Sequence, residues 1–556
     1  MPRIAANPGP IDSLWERACS RWGHHIHPRC VCPDAIASRL APTGVLPGMH
    51  SHDLFMPLYF RNLAQVPRCI SRELKTLSVW VLTLTISGCI GTGGIAPQGQ
   101  VLPANQLATD AAIREAVHDA HWPTRQWWQA YGDRQLDHWI DLAVQGSPSL
   151  AMAAARVRQA KAMAGIAEAA ESLQINGEST LKRHNWPTDQ FYGPGELADT
   201  TTWDNNASLG LSYALDLWGR ERNASERAVD LAHLSVAEAR QAQLELQNNI
   251  VRAYIQFSLH YAQRDIVAAT LRQQEQILDL AQKRLDGGIG THFEVSQAQA
   301  PLPETHRQLD ALDEAIALSR NQLAALAGQG PGAGVQLQRP TLALGAPLKL
   351  PSALPAELLG QRPDVVAGRW QVAAQARGID VARAGFYPNV DLVGSLGYMA
   401  TGGGALEFLS GKKLTYNVGP AVTLPIFDGG RLRSQLGEAA AGYDIAVAHY
   451  NQTLVNALKS ISDQLIRRES MDKQRAFAAE SVAAAQRTYD IAKVAFQRGL
   501  TDYLNVLNAQ SLLFKQQQVQ QRVEAARLSA HADLVTALGG GLEAGSDSPD
   551  LNHDAE

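Results

Sequence analysis

The chain has 556 residues, 45% of them hydrophobic and 19% charged, with a formal net charge of -5. That length and apolar content supply sizeable buried cores and exclude a disordered chain. A slightly acidic balance without a dense Lys/Arg run excludes a surface built for a nucleic-acid backbone.

Residues 1–55 contain Pro, His, Arg and Cys without helical or strand periodicity, and translation is expected to begin nearer Met56 or at a non-Met codon after it. All five cysteines, Cys19, Cys30, Cys32, Cys69 and Cys89, lie in the first sixth of the chain, so nothing after Cys89 can form a disulfide. Cys30 and Cys32 form one C-x-C without a second ligand pair, and no metal site is assigned there. In "SRELKTLSVWVLTLTISGC", Arg72 and Lys75 precede an apolar run from Leu77 to Ile86, then small residues and Cys89. The run is too short to span a bilayer as a helix, which takes about 20 residues, and reads as a secretory signal. "ISGC" resembles a bacterial lipobox, which implies a diacylglycerol and acyl lipid on Cys89. Ile90, where Asp would mark inner-membrane retention, implies the outer membrane.

Further along, "WWQAYGDRQLDHWIDLA" from Trp127 precedes a weak strand pattern at Leu173–Leu181. From Trp203 to Leu217 the alternation is clear: Leu209, Leu211, Tyr213, Leu215 and Leu217 share one face, and Ser208, Gly210, Ser212 and Asp216 the other. Gly219 to Asp286 has no Pro and no internal Gly, with heptad spacing at Leu271, Leu278 and Leu285, and predicts one helix about 100 Å long. "DGGIG" ends it, and a second helix is expected from Glu294 to Ala327, bent at Pro301 and Pro303 because an interior proline costs about 3 kcal/mol.

The second half repeats this order. "LLGQRPDVVAGRWQVAAQARGIDVARAGFYPNVDL" from Leu358 leads into strand patterns at Asn389–Tyr398 and Thr415–Phe427, a long helix from Arg431 to Arg498, and a second from Tyr503 to Leu538. "GGIGTHFEVSQAQAPL" from Gly287 aligns with "RGLTDYLNVLNAQSLL" at a constant offset of 211, placing Gly288 on Gly499 and Gln299 on Gln510. Upstream, Gly210, Leu215, Trp218 and Arg220 fall on Gly419, Leu424, Phe427 and Arg431. Each repeated stretch is the tip of a helical hairpin: Gly288 and Gly499 suit the left-handed position after a helix, and Asp502 suits the cap of the next. Four strands cannot close a membrane barrel, whose smallest examples have eight. Either the sheet is soluble or several chains pool their strands.

This pattern resembles the outer-membrane factor (TolC-like) family of tripartite efflux pumps, in its lipoprotein branch. The resemblance runs from Cys89 to about Leu538 and includes the Trp127 and Leu358 stretches. It implies a mainly α fold with a transmembrane β part: a homotrimer whose four strands per chain make a twelve-stranded outer-membrane β-barrel above a long periplasmic α-helical tube. It also implies contact with a periplasmic adaptor protein and, through it, an inner-membrane pump. The expected organisation is 1–55 mis-called or dispensable extension, 56–88 lipoprotein signal, 89–132 linker and start of the first repeat, 133–330 first repeat, 331–356 linker, 357–538 second repeat and 539–556 disordered tail.

By the same resemblance Gly288, Ile289, Gly499 and Leu500 are adaptor contacts, and Glu294, Asp502, Asn505 and Asn508 line a periplasmic gate. Relatives often carry Asp where this chain has Asn505 and Asn508, which predicts a ring held more by hydrogen bonds than by ion pairs. Enzymatic readings fail: "TGGGALEFLSGKK" (Thr401–Lys413) lacks P-loop spacing and reads as a loop between strands, and His118 and His121 have no completing carboxylate. The rival reading is a lipid-anchored periplasmic coiled-coil scaffold, which leaves the amphipathic strands unexplained.

Overall fold

The chain runs through two similar halves in the computed structural model, which describes residues 91–103, 107, 123–187, 199–343 and 362–541. The signal stretch, Cys89, the four earlier cysteines, His118, His121 and the tail from residue 542 lie outside the described residues. In the first half a 3-10 turn at Trp127–Tyr131 leads to α1 (Arg134–Gly146), α2 (Pro148–Ala170), β1 (Gln174–Trp186) and β2 (Thr200–Ala214). Then follow α3 (Arg220–Asp286), α4 (His292–Gln299) and α5 (Leu302–Leu326). After a single helical turn at Pro331–Gly334 the second half has α6 (Pro363–Ala384), β3 (Asn389–Thr401), β4 (Leu414–Thr423), α7 (Arg431–Gln497) and α8 (Tyr503–Ala537).

The long helices α3 and α7 have 67 residues each, about 100 Å of rise. Each begins after a glycine in the left-handed region, Gly219 at φ 70° and Gly430 at φ 91°. A preceding aspartate satisfies first-turn N–H groups: Arg222 N donates to Asp216 Oδ2 at 2.9 Å, and Leu432 N to Asp428 Oδ2 at 2.7 Å. These caps shorten two strands relative to the sequence expectation. β2 stops at Ala214 rather than Leu217, and β4 at Thr423 rather than Phe427, because the backbone must turn to bring Asp216 and Asp428 onto the helices. At their other ends β1 and β3 run further than expected, to Trp186 and Thr401.

The expected helix over Glu294–Ala327 is two helices. α4 ends at Gln299 and α5 starts at Leu302, with Pro301 between them, so the interruption falls where proline removes an N–H donor. Thr305 Oγ1 bridges it, donating to Pro301 O at 3.1 Å and Gln274 Oε1 at 2.8 Å. The equivalent α8 carries Leu512 and Phe514 and runs unbroken.

All four strands form one antiparallel sheet in the order β1-β2-β3-β4. The central β2–β3 pair joins the two halves, with Leu209 opposite Leu396 and Ser208 opposite Gly397. Pro420 sits in β4, an edge strand where a missing donor is tolerated. The main helical core packs Trp127, Trp128, Tyr131, Leu136 and Ile140 against Ile250, Tyr254 and Phe257 of α3, Leu323 of α5 and Val535 of α8. A second cluster nearer the hairpin tips joins Ile277 and Ala281 to Tyr489, Phe496, Tyr503 and Val506.

The heptad leucines are not the centre of the α3 seam. Gln274, Ile277 and Ala281 are the buried positions there, while Leu271, Leu278 and Leu285 flank them half-buried. A helix that packs against α2, α5, α6 and α8 along its length is buried on several faces, so no single seven-residue stripe describes it.

Candidate functional site: hairpin tips and a two-faced sheet

Both hairpin tips are built alike. Gly288 and Gly499 each have φ 73°, and a Cβ there would meet nothing within 4 Å, so the backbone conformation alone demands glycine. Ile289 N donates to Arg284 O at 3.0 Å and Leu500 N to Ala495 O at 2.9 Å, closing each helix end. Ile289 and Leu500 are left 72% and 76% exposed at the points. Sequence reasoning missed their neighbours Phe293 and Leu504, another pair at the repeat offset, which are also exposed.

The next helix is capped differently on the two sides. Thr291 and Glu294 form a capping box, with Glu294 N donating to Thr291 Oγ1 at 3.2 Å and Thr291 N to Glu294 Oε2 at 3.4 Å. In the second hairpin Asp502 Oδ1 accepts from Asn505 N at 3.2 Å and Asn505 Nδ2 at 3.0 Å, and Asn505 Nδ2 also donates to Thr501 Oγ1 at 2.8 Å. Asp502 and Asn505 thus form one capping network, while Asn508 lies exposed one turn further on. Asp502→Ala leaves the first-turn donors of α8 without this acceptor, and an otherwise folded protein is expected to lose about 1 kcal/mol. Faster hydrogen exchange confined to the α8 start would show it.

Arg284 was also missed. Its guanidinium lies 5.1 Å from the Phe496 ring centroid, and its Nε is 4.0 Å from Glu294 Oε2, with side chains 18% and 22% exposed. One arginine of the first hairpin therefore touches both its own tip and α7 of the second. The only trace in sequence is a broken symmetry, because the repeat offset puts Ala495 opposite Arg284.

Strand register defines the other half of the site, since residues directly opposite share a face. One face carries Ile175, Leu211 and Val418; then Leu209, Leu396 and Tyr416; then Tyr398 and Leu414. The opposite face carries Asn176, Gly210, Ser395 and Asn417, then Glu178, Ser208, Gly397 and Thr415. The helix-linked end bears Trp218 stacked on Tyr387, with centroids 4.6 Å apart, and the far end bears Trp203 on the apolar face and Trp186 on the reverse one. An apolar face bounded by aromatic residues and a polar reverse face is the pattern of a barrel strand in lipid. Among the described residues no helix is long and apolar enough to cross a membrane. Residues 402–413 form the expected loop between β3 and β4, held by Glu407 accepting from Gly404 N at 3.0 Å and by Asn205 Nδ2 donating to Ala405 O at 2.7 Å.

A lipid-facing sheet continuous with helical hairpins about 100 Å long defines the subunit of an outer-membrane duct. The outer membrane efflux protein family matches residues 139–329 and 354–540, once per half. The chain belongs to that family and is an outer-membrane channel serving a tripartite efflux system. It is 46% identical over 504 residues to the fusaric acid resistance protein FusA of Burkholderia cepacia, covering 85% of this chain and 89% of that one. It is 30% identical to the multidrug resistance outer membrane protein MdtP of Escherichia coli (strain K12), covering 86% and 99%. The crystal structure of the outer membrane protein VceC from Vibrio cholerae superposes with a TM-score of 0.71 at 34% identity, covering 76% of this chain and all of that one.

Proposed function

We propose that three copies of this chain close a twelve-stranded barrel, gated at the hairpin tips and docked there to a periplasmic adaptor that links to an inner-membrane pump. The observation that carries the reading is the open sheet. Its edges β1 and β4 run antiparallel to one another, so copies added head to tail continue the alternation and leave no edge when the ring closes. Exposed apolar residues on α2 (Met152, Met163, Ile166) and α7 (Ile445, Phe477, Ile491) supply further surface for neighbouring copies.

Gly288, Ile289, Gly499 and Leu500, with Phe293 and Leu504, form apolar points suited to an adaptor, and Glu294, Asp502, Asn505 and Asn508 stand at the starts of the returning helices, where the tube narrows. A lipid on Cys89 is supported by the path of the chain that follows. Arg433 Nε donates to Gly91 O at 2.9 Å, and Gln98 N and Gly99 N donate to Asp444 Oδ1 at 2.8 and 2.6 Å. The segment therefore lies along α7 with Gly91 beside its membrane end, and two residues reach at most about 7 Å further to Cys89. The similarity to a fusaric acid resistance protein makes an aromatic carboxylic acid the first cargo to test, with drugs and metal ions as comparators.

Native mass spectrometry of protein extracted from outer membranes tests the assembly. The expected species is a trimer of chains that begin at Cys89, each heavier by a lipid modification. A lipidated monomer or dimer would overturn the shared barrel and favour the scaffold.

A further inference from the structure

We propose that the cell-surface rim of the barrel binds a diphosphorylated glycolipid of the outer leaflet at each seam between subunits, through Arg183 of one copy and Lys412 of the next; this rests on the trimeric barrel above. The orientation follows from connectivity. The strand ends at Gln174, Ala214, Asn389 and Thr423 lead into the helices that span the periplasm, so the ends at Trp186, Thr200, Thr401 and Leu414 face the cell surface.

On the membrane face of β1 the last apolar residue is Leu181, and Arg183, paired with Trp203, is the next to point the same way. Lys412 and Lys413 immediately precede Leu414, with which β4 starts its own apolar face. β1 and β4 are opposite edges of one sheet, hence neighbours across each seam of a closed ring. The seam thereby collects a guanidinium and two ammonium groups just beyond the apolar band.

Among the described residues no ion pair involves Arg183, Lys412 or Lys413. Two nearby carboxylates are turned elsewhere: Asp204 accepts from Thr401 Oγ1 at 3.2 Å on the polar face, and Glu407 accepts from Gly404 N inside its loop. The helix-side rim differs, mixing Asp216 and Asp428 with Arg220 and Arg431. Cations at headgroup depth that pair with no acidic group among the described residues attract phosphate, and a planar guanidinium beside ammonium groups suits a headgroup with two phosphates better than one. The tryptophan beside Arg183 fits the same interfacial depth.

The test is native mass spectrometry of the purified trimer titrated separately with diphosphoryl lipid A, its dephosphorylated form and phosphatidylethanolamine. Expected are up to three bound diphosphoryl lipids per trimer, and a tenfold or greater loss of that affinity in the R183Q/K412Q double variant with the trimer intact. The control Lys473→Gln, on the surface of α7, is expected to bind as wild type. Equal binding of the dephosphorylated lipid or of phosphatidylethanolamine, or full retention in the double variant, would overturn the site. The spectrum before lipid is added reads the assembly separately: absence of trimers there fails the barrel reading itself, and the seam site with it.

Discussion

Leu209→Arg is expected to abolish assembly in the outer membrane. Leu209 lies mid-strand in β2, 58% exposed, between Gly177 and Leu396 on the face the sheet turns to lipid. Arginine on the lipid face near the bilayer midplane costs about 2–4 kcal/mol in a barrel, and a threefold ring repeats it to about 6–12 kcal/mol. That total is comparable to the whole stability of an ordinary domain. Asn417→Arg is the control: Asn417 is exposed on the reverse face, where a charge meets a wet lumen. Semi-native gels of outer-membrane fractions should show the trimer band lost in the first variant and kept in the second. Equal tolerance of both would mean that neither face meets lipid.

The second large effect is expected at Arg284. Its contact with the Phe496 ring links the two hairpins, and its approach to Glu294 ties the same side chain to the capped start of α4. A partly desolvated cation–π contact contributes about 1–2 kcal/mol and an ion pair as long as 4.0 Å about 0–1 kcal/mol. If the hairpin tips gate the duct as proposed, Arg284→Ala is expected to shift the closed-to-open ratio about tenfold per chain, read as a severalfold rise in single-channel conductance in planar bilayers. Phe496→Leu keeps the Arg284–Glu294 approach and should have a smaller effect. Raising the salt concentration should weaken only the ion-pair part, because exposed charges are screened while the ring contact persists. Unchanged conductance in Arg284→Ala would remove this contact from the gate.

Much of the architecture was legible because its determinants are local. Proline-free, nearly glycine-free runs announced α3 and α7 to within a residue or two. Strict alternation announced β2 and β3, and Pro301 announced the interruption between α4 and α5. The paired tips were found because duplication writes the same glycine and cap pattern twice, 211 residues apart. The four strands were countable, yet a count could not distinguish a soluble sheet from a share of a barrel. The register pointed to the barrel, by putting Leu209, Leu211, Leu396, Tyr398, Tyr416 and Val418 on one face, with Val393 and Met399 as exceptions on the reverse.

What failed was long-range. The heptad leucines misplaced the α3 seam because period alone does not say how many neighbours a helix has. Arg284 was invisible because its partner on α7 is 212 residues away and has no charge to suggest a pair. Strand ends were misjudged where Asp216 and Asp428 turn back to cap helices. The sequence by itself determined element type, length, breakers and repeat, since these follow from backbone freedom and short-range periodicity. Only the tertiary structure decided which faces are shared, which caps close and which side chains cross between hairpins, because those depend on chain segments brought together by folding.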